Sequence, residues 1–122
     1  MHSAYHAPTA AQLAALRALE VGGDWVKRAR ESYAHVGREA AALLGVPAPE
    51  GSCFLFVDAA PRLDARGLAG FLADCFADGV VVAPGASAGE AYGSWVRLCY
   101  TALPPEGALE GVRRLARRLG RG

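Results

Sequence analysis

Three short apolar runs carry the architecture of this chain: Cys53-Phe54-Leu55-Phe56-Val57-Asp58, Val80-Val81-Val82 and Trp95-Val96-Arg97-Leu98-Cys99-Tyr100. Each is rich in aromatic and β-branched residues and bounded by turn formers, as expected for a strand. The proline-rich segment Val46–Gly51 precedes the first run, Asp78-Gly79 the second, and Pro84-Gly85 ends the second. Between the first two runs, Asp64 is placed to cap a helix from about Ala65 to Ala77, buried through Leu68, Phe71, Leu72, Cys75 and Phe76. After the third, Pro104-Pro105-Glu106 opens a helix to Leu119 with Leu109, Val112, Leu115, Ala116 and Leu119 inward. Alternation along the last strand puts Trp95, Arg97 and Cys99 on one face and Val96, Leu98 and Tyr100 on the other.

Toward the N-terminus the period changes from two to three or four. Thr9 and Gln12 have the spacing of a capping box, which predicts a helix from Ala10 to Glu20 that Gly22-Gly23 ends. Asp24 is placed to cap a longer helix from Trp25 to Leu44, with Trp25, Ala29, Tyr33, Val36, Ala40 and Leu43 on its apolar face. The expected fold class is therefore α/β, in the sense of an α+β two-layer sandwich. A small three-stranded sheet carries packed helices and is preceded by two more.

Composition narrows the function classes. A chain of 122 residues with 52% hydrophobic and 20% charged residues is one ordinary globular domain. A net charge of +1 gives no global attraction to nucleic acid or to an anionic membrane. The apolar runs are far shorter than the ~20 residues of a membrane span. Met1–His6 lacks the pattern of a signal peptide, so the expected compartment is cytoplasmic. Cys53, Cys75 and Cys99 are odd in number and set in apolar surroundings, and read as buried reduced thiols. Arg113, Arg114, Arg117, Arg118 and Arg121 lie late in the last helix, where cations meet the negative end of its dipole. His2 and His6 have helical metal-ligand spacing, but no other ligand pair is near, and no metal is expected. Twelve arginines to one lysine, with no Ile or Asn, point to a GC-rich genome.

The order of these pieces resembles the class I/II aminotransferases, enzymes of the fold-type-I pyridoxal-phosphate group. The resemblance runs from the Pro8–Gln12 helix start through Pro49–Asp58, Gly79–Gly85 and Val96-Arg97-Leu98 to the closing helix. It implies a C-terminal portion over 1–122, with a helical junction and spine helix over 1–45 and the small domain over 46–122. The matched region holds neither the family's phosphate-binding elements nor its Schiff-base lysine. The only lysine, Lys27, lies within a predicted helix beside Arg28 and Arg30, away from the family's cofactor position. Transamination needs a lysine amine to hold the cofactor and shuttle a proton. The resemblance therefore implies no cofactor bound by the isolated chain, and pyridoxal phosphate in an enzyme assembled with a lysine-bearing large-domain chain.

By the same resemblance Arg97 binds the α-carboxylate of a small amino or keto acid. A planar guanidinium suits that role because its two parallel N–H donors match two carboxylate oxygens. The plainer reading of Arg97 is a salt bridge to Asp58 or Glu90. Ala88 stands where many relatives have an aromatic, which implies a roomier pocket. Tyr5 and His6 fall in a segment that in family dimers passes near a neighbouring active site. The expected partner is a large-domain chain or a second copy. The alternative is a non-catalytic remnant or regulatory interaction module.

Overall fold

The structure, a computed structural model, describes residues 6–121 and divides into two compact units between Glu31 and Ser32. Helix α1 spans Thr9–Val21 and helix α2 spans Gly23–Leu44. The capping box does not form. Pro8 takes the N-cap position with extended backbone, so Thr9 is already helical, and the Gln12 side chain returns instead to the Ala7 carbonyl at 2.7 Å. Gly22 alone separates the helices: its N–H donates to Ala18 and its carbonyl accepts from Val26. Asp24 consequently lies inside the first turn rather than capping it, where its charge meets the positive end of the dipole.

No residue of α1 is buried. The buried face of α2 is confined to its C-terminal half, Val36, Gly37, Ala40, Ala41 and Leu44. Trp25 and Tyr33, expected on the apolar face, are exposed, and Leu43 is half-buried. Helical period names a face, but only packing decides how far along that face burial extends. Gly37 fits one such contact, since a Cβ there would lie 3.0 Å from Pro49 Cγ and 3.1 Å from the Tyr100 ring.

The second unit holds a three-stranded antiparallel sheet in the order β1–β3–β2. Strand β1 is Phe54–Asp58, β2 only Ala83–Pro84, and β3 Trp95–Cys99. Val80–Val82, expected as the middle strand, is not one: Val80 is buried, Val81 is exposed, and pairing begins only at Ala83. Helix α3 spans Gly67–Ala77 and α4 spans Pro105–Arg118. Asp64 organises the turn before α3 rather than capping it, accepting from the Arg66 N–H at 2.8 Å. Phe76, expected in the core, is 72% exposed, because the buried side of α3 runs through Gly70, Phe71 and Cys75.

The inner sheet face supplies Leu55, Val57, Val96, Leu98 and Tyr100 to one core with the end of α2, Phe71 and Cys75 of α3, and Leu109, Val112, Leu115 and Leu119 on and just after α4. The outer face, Phe54, Phe56, Trp95, Arg97 and Cys99, contributes no residue to that core. The expected class is observed: α-helices together with a small three-stranded antiparallel sheet.

Candidate functional site

The outer face is built by register. Phe56 lies opposite Arg97, Phe54 opposite Cys99 and Asp58 opposite Trp95, while Ala83 flanks Arg97 from the other side. Arg97 thus stands mid-strand on the central strand, half-buried, with its guanidinium carbon 4.6 Å above the Phe54 ring. The ion pair to Asp58 or Glu90 does not form. Asp58 instead accepts from Ser94 Oγ at 2.8 Å and from the Ala60 N–H at 2.9 Å, which ties the end of β1 to the loop entering β3. Among the described residues no carboxylate lies within 4.0 Å of Arg97. Its cation is held over an aromatic face, and among the described residues its in-plane donors make no hydrogen bond.

Beside Arg97 an apolar cleft of about 460 Å³ is lined by Phe56, Ala88, Tyr92 and Trp95. Tyr92 stands edge-to-face on both neighbours, with centroids 5.7 Å from Phe56 and 5.7 Å from Trp95. Gly85 sets this corner. A Cβ there would fall 2.7 Å from Trp95 Cβ and from the carbonyl oxygens of Trp95 and Tyr92, so only glycine lets the loop close. Trp95 was legible in the sequence as a neighbour of Arg97. Tyr92 was not, since it sits in a glycine-rich loop with no periodic pattern. Its one signal is an aromatic three residues before Trp95.

Ala88 is brought to this cleft beside Arg97's strand partner. His6 is exposed in the other unit, 3.2 Å from the Ala7 carbonyl through Nδ1, and Tyr5 lies outside the described residues. Of the thiols, Cys75 is buried, and burial pushes its pKa up. Cys53 and Cys99 are only half-buried, contrary to the expectation of buried thiols. For Cys99 burial works upward, but hydrogen bonds from Thr101, Cys53 and Ala102 outweigh it and hold the thiol below its usual range.

Arginines on and just after α4 make structural contacts. Arg118 pairs with Asp78 at 2.6 Å and Arg114 with Glu110 at 3.0 Å, while Arg121 donates to the Leu44 carbonyl. No group of three or more metal-ligating side chains occurs among the described residues. Nor do these residues form a cofactor cradle: Lys27 lies on α2 in the unit that does not hold Arg97, flanked by exposed residues.

No family model matches this chain, and no curated protein does. A solved structure does match: LysN, an alpha-aminoadipate aminotransferase from Thermus thermophilus, complexed with N-(5'-phosphopyridoxyl)-L-leucine. Sequence identity is 26% and the TM-score 0.67. The match covers 84% of this chain but 28% of LysN, so the chain spans little more than a quarter of that enzyme's length. In fold and in sequence, this chain is similar to the C-terminal small-domain portion of a pyridoxal-phosphate-dependent aminotransferase.

Proposed function

We propose that this chain acts as the small-domain part of an aminotransferase-like enzyme and binds the substrate's α-carboxylate through Arg97. The observation that carries the reading is a half-buried arginine on the open face of the central strand, stacked on Phe54 and paired with no carboxylate among the described residues. The likeness to LysN supports it, since that enzyme is an aminotransferase bound to a phosphopyridoxyl amino acid. The described residues do not fit pyridoxal phosphate, so the cofactor and its lysine belong to a large domain outside them. Residues 1–45 then act as junction and spine, and 46–122 as the small domain. The exposed apolar residues of α1 and early α2, Leu13, Leu16, Leu19, Val21, Trp25 and Val26, suit a surface that the large domain covers.

The test is substrate affinity in the enzyme assembled with its lysine-bearing large domain. Arg97→Lys keeps the charge but loses the fork, and raises KM for the amino acid about tenfold or more. Arg97→Ala raises it further, since hydrogen bonds to charged groups contribute roughly 1.5–3 kcal/mol each. Unchanged KM and kcat in a folded Arg97→Ala enzyme would remove the carboxylate role. An unfolded variant would give the position to structure, and a complex that never forms would favour the non-catalytic module.

A further inference from the structure

We propose that the cleft beside Arg97 binds an aromatic ring, so that the carboxylate-bearing substrate of this site is an amino or keto acid with an aromatic side chain. This inference rests on the reading of Arg97 as the carboxylate anchor. It adds what that reading leaves open, the chemistry of the rest of the substrate.

The walls decide the class. Phe56, Tyr92 and Trp95 present three rings and Ala88 a methyl group, with no charged side chain among them. A second hollow of the same unit, lined by Asp78, Glu110, Arg114 and Arg117, is by contrast charged throughout. The ring planes meet at 63° and 87°, so the cleft offers both ring edges and ring faces. A further aromatic ring satisfies its quadrupole on such walls, whereas a branched aliphatic chain gains only contact area. The volume of about 460 Å³ lies within the range of small-molecule sites. Ala88 keeps it open, because a larger side chain at that position would occupy the space.

Position links the cleft to the anchor. The guanidinium stands over Phe54, toward the Cys99 end of β3 and away from Trp95. The cleft wall nearest it is therefore Phe56, two residues from Phe54 on the same face of β1. Two residues span about 7 Å. That is comparable to the roughly 5 Å from carboxylate carbon to ring centre in a phenylpropanoate. One molecule of that length therefore spans from the guanidinium to the Phe56 wall of the cleft. The rings are also uncovered: Tyr92 is 39% exposed and Phe56 and Trp95 are half-buried, while the core takes Val96 and Leu98 from the opposite face.

The experiment titrates the 122-residue chain and follows the Trp95 indole N–H by NMR, with the Trp25 indole as internal control. The probes are 3-phenylpropanoate, 4-methylpentanoate, acetate and 3-phenylpropan-1-ol. Expected is 3-phenylpropanoate binding about tenfold tighter than acetate and roughly threefold tighter than 4-methylpentanoate, with shifts at Trp95 and not Trp25. Ala88→Phe, or Ala88→Leu where the first variant does not fold, brings 3-phenylpropanoate down to the affinity of acetate and leaves acetate unchanged. Arg97→Gln weakens every carboxylate and leaves the alcohol's shift at Trp95. Should Arg97→Gln weaken none of them while the alcohol still shifts Trp95, the anchor reading fails and the cleft stands as an aromatic-ring site. No Trp95 shift with any probe, equal affinity for the phenyl and methylpentyl acids, or a preference that survives both Ala88 variants overturns the proposal.

Discussion

Arg97 differs from Arg62, Arg66, Arg114, Arg118 and Arg121 in what surrounds its guanidinium. Arg66, Arg114 and Arg118 meet carboxylates, Arg62 donates to the Leu119 carbonyl and Arg121 to the Leu44 carbonyl, whereas Arg97 meets the face of Phe54. At the same scale, two glycines respond to substitution with opposite signs. Gly85→Ala drives a methyl into Trp95 and Tyr92 and should cost about 1–3 kcal/mol. Gly111→Ala, in the middle of α4 with nothing within 4 Å of its added Cβ, should instead stabilise by roughly 0.5–1 kcal/mol. Chemical denaturation of both variants checks the pair. A neutral Gly85→Ala would mean that the loop yields easily and that the aromatic corner is not rigid.

Between elements, charge joins α3 to α4. Arg66 bridges Asp64 at 2.7 Å and Asp74 at 2.8 Å, and Arg118 approaches Asp74 at 3.7 Å while pairing with Asp78 at 2.6 Å. Hydrogen bonds from Arg66 hold the Asp64 and Asp74 carboxyls below the usual range, and Arg114 does the same for Glu110. A carboxyl whose pKa is lower in the folded state contributes stability above its unfolded value, about 4. That contribution disappears as pH falls through the depressed folded value. The denaturation midpoint should therefore decline below about pH 4, and Arg66→Gln should flatten the decline. These pairs are solvent-exposed, so the effect is small and weakens further in salt. An acid limb identical in wild type and Arg66→Gln would show that the bridges contribute nothing.

For the whole molecule, the apolar surface of the first unit is the decisive feature. Leu13, Leu16 and Leu19 of α1 are 62%, 54% and 85% exposed, an unusual display for a lone soluble helix. The chain should therefore self-associate or capture a large-domain partner through α1. In sedimentation velocity it should run above monomer mass, and Leu13→Glu with Leu16→Glu should return it to monomer without loss of helical signal. A wild-type monomer at high concentration that also fails to join a lysine-bearing large domain would remove the docking role. Borohydride reduction with pyridoxal phosphate should leave Lys27 of the isolated chain unmodified, because that lysine stands exposed on a helix with no enclosing wall of buried neighbours.

Local pattern was enough to set the type and order of nearly every element, because alternation over Phe54–Asp58 and Trp95–Cys99 and the three- and four-residue spacing in α4 leave little choice of period. The same alternation set which face of β3 carries Arg97, since a one-residue slip would bury the cation and expose Val96. Boundaries and burial along an element were not fixed locally. Three valines favour a strand, yet pairing begins only at Ala83, although the same register carried back along the chain would set Val82 opposite Leu98 of β3. Phe76 and Trp25 fit an apolar stripe but are exposed. The cleft was invisible for the same reason. Phe56, Ala88, Tyr92 and Trp95 come from a strand, a turn, a loop and another strand, and only antiparallel register and the tight turn at Gly85 bring them together.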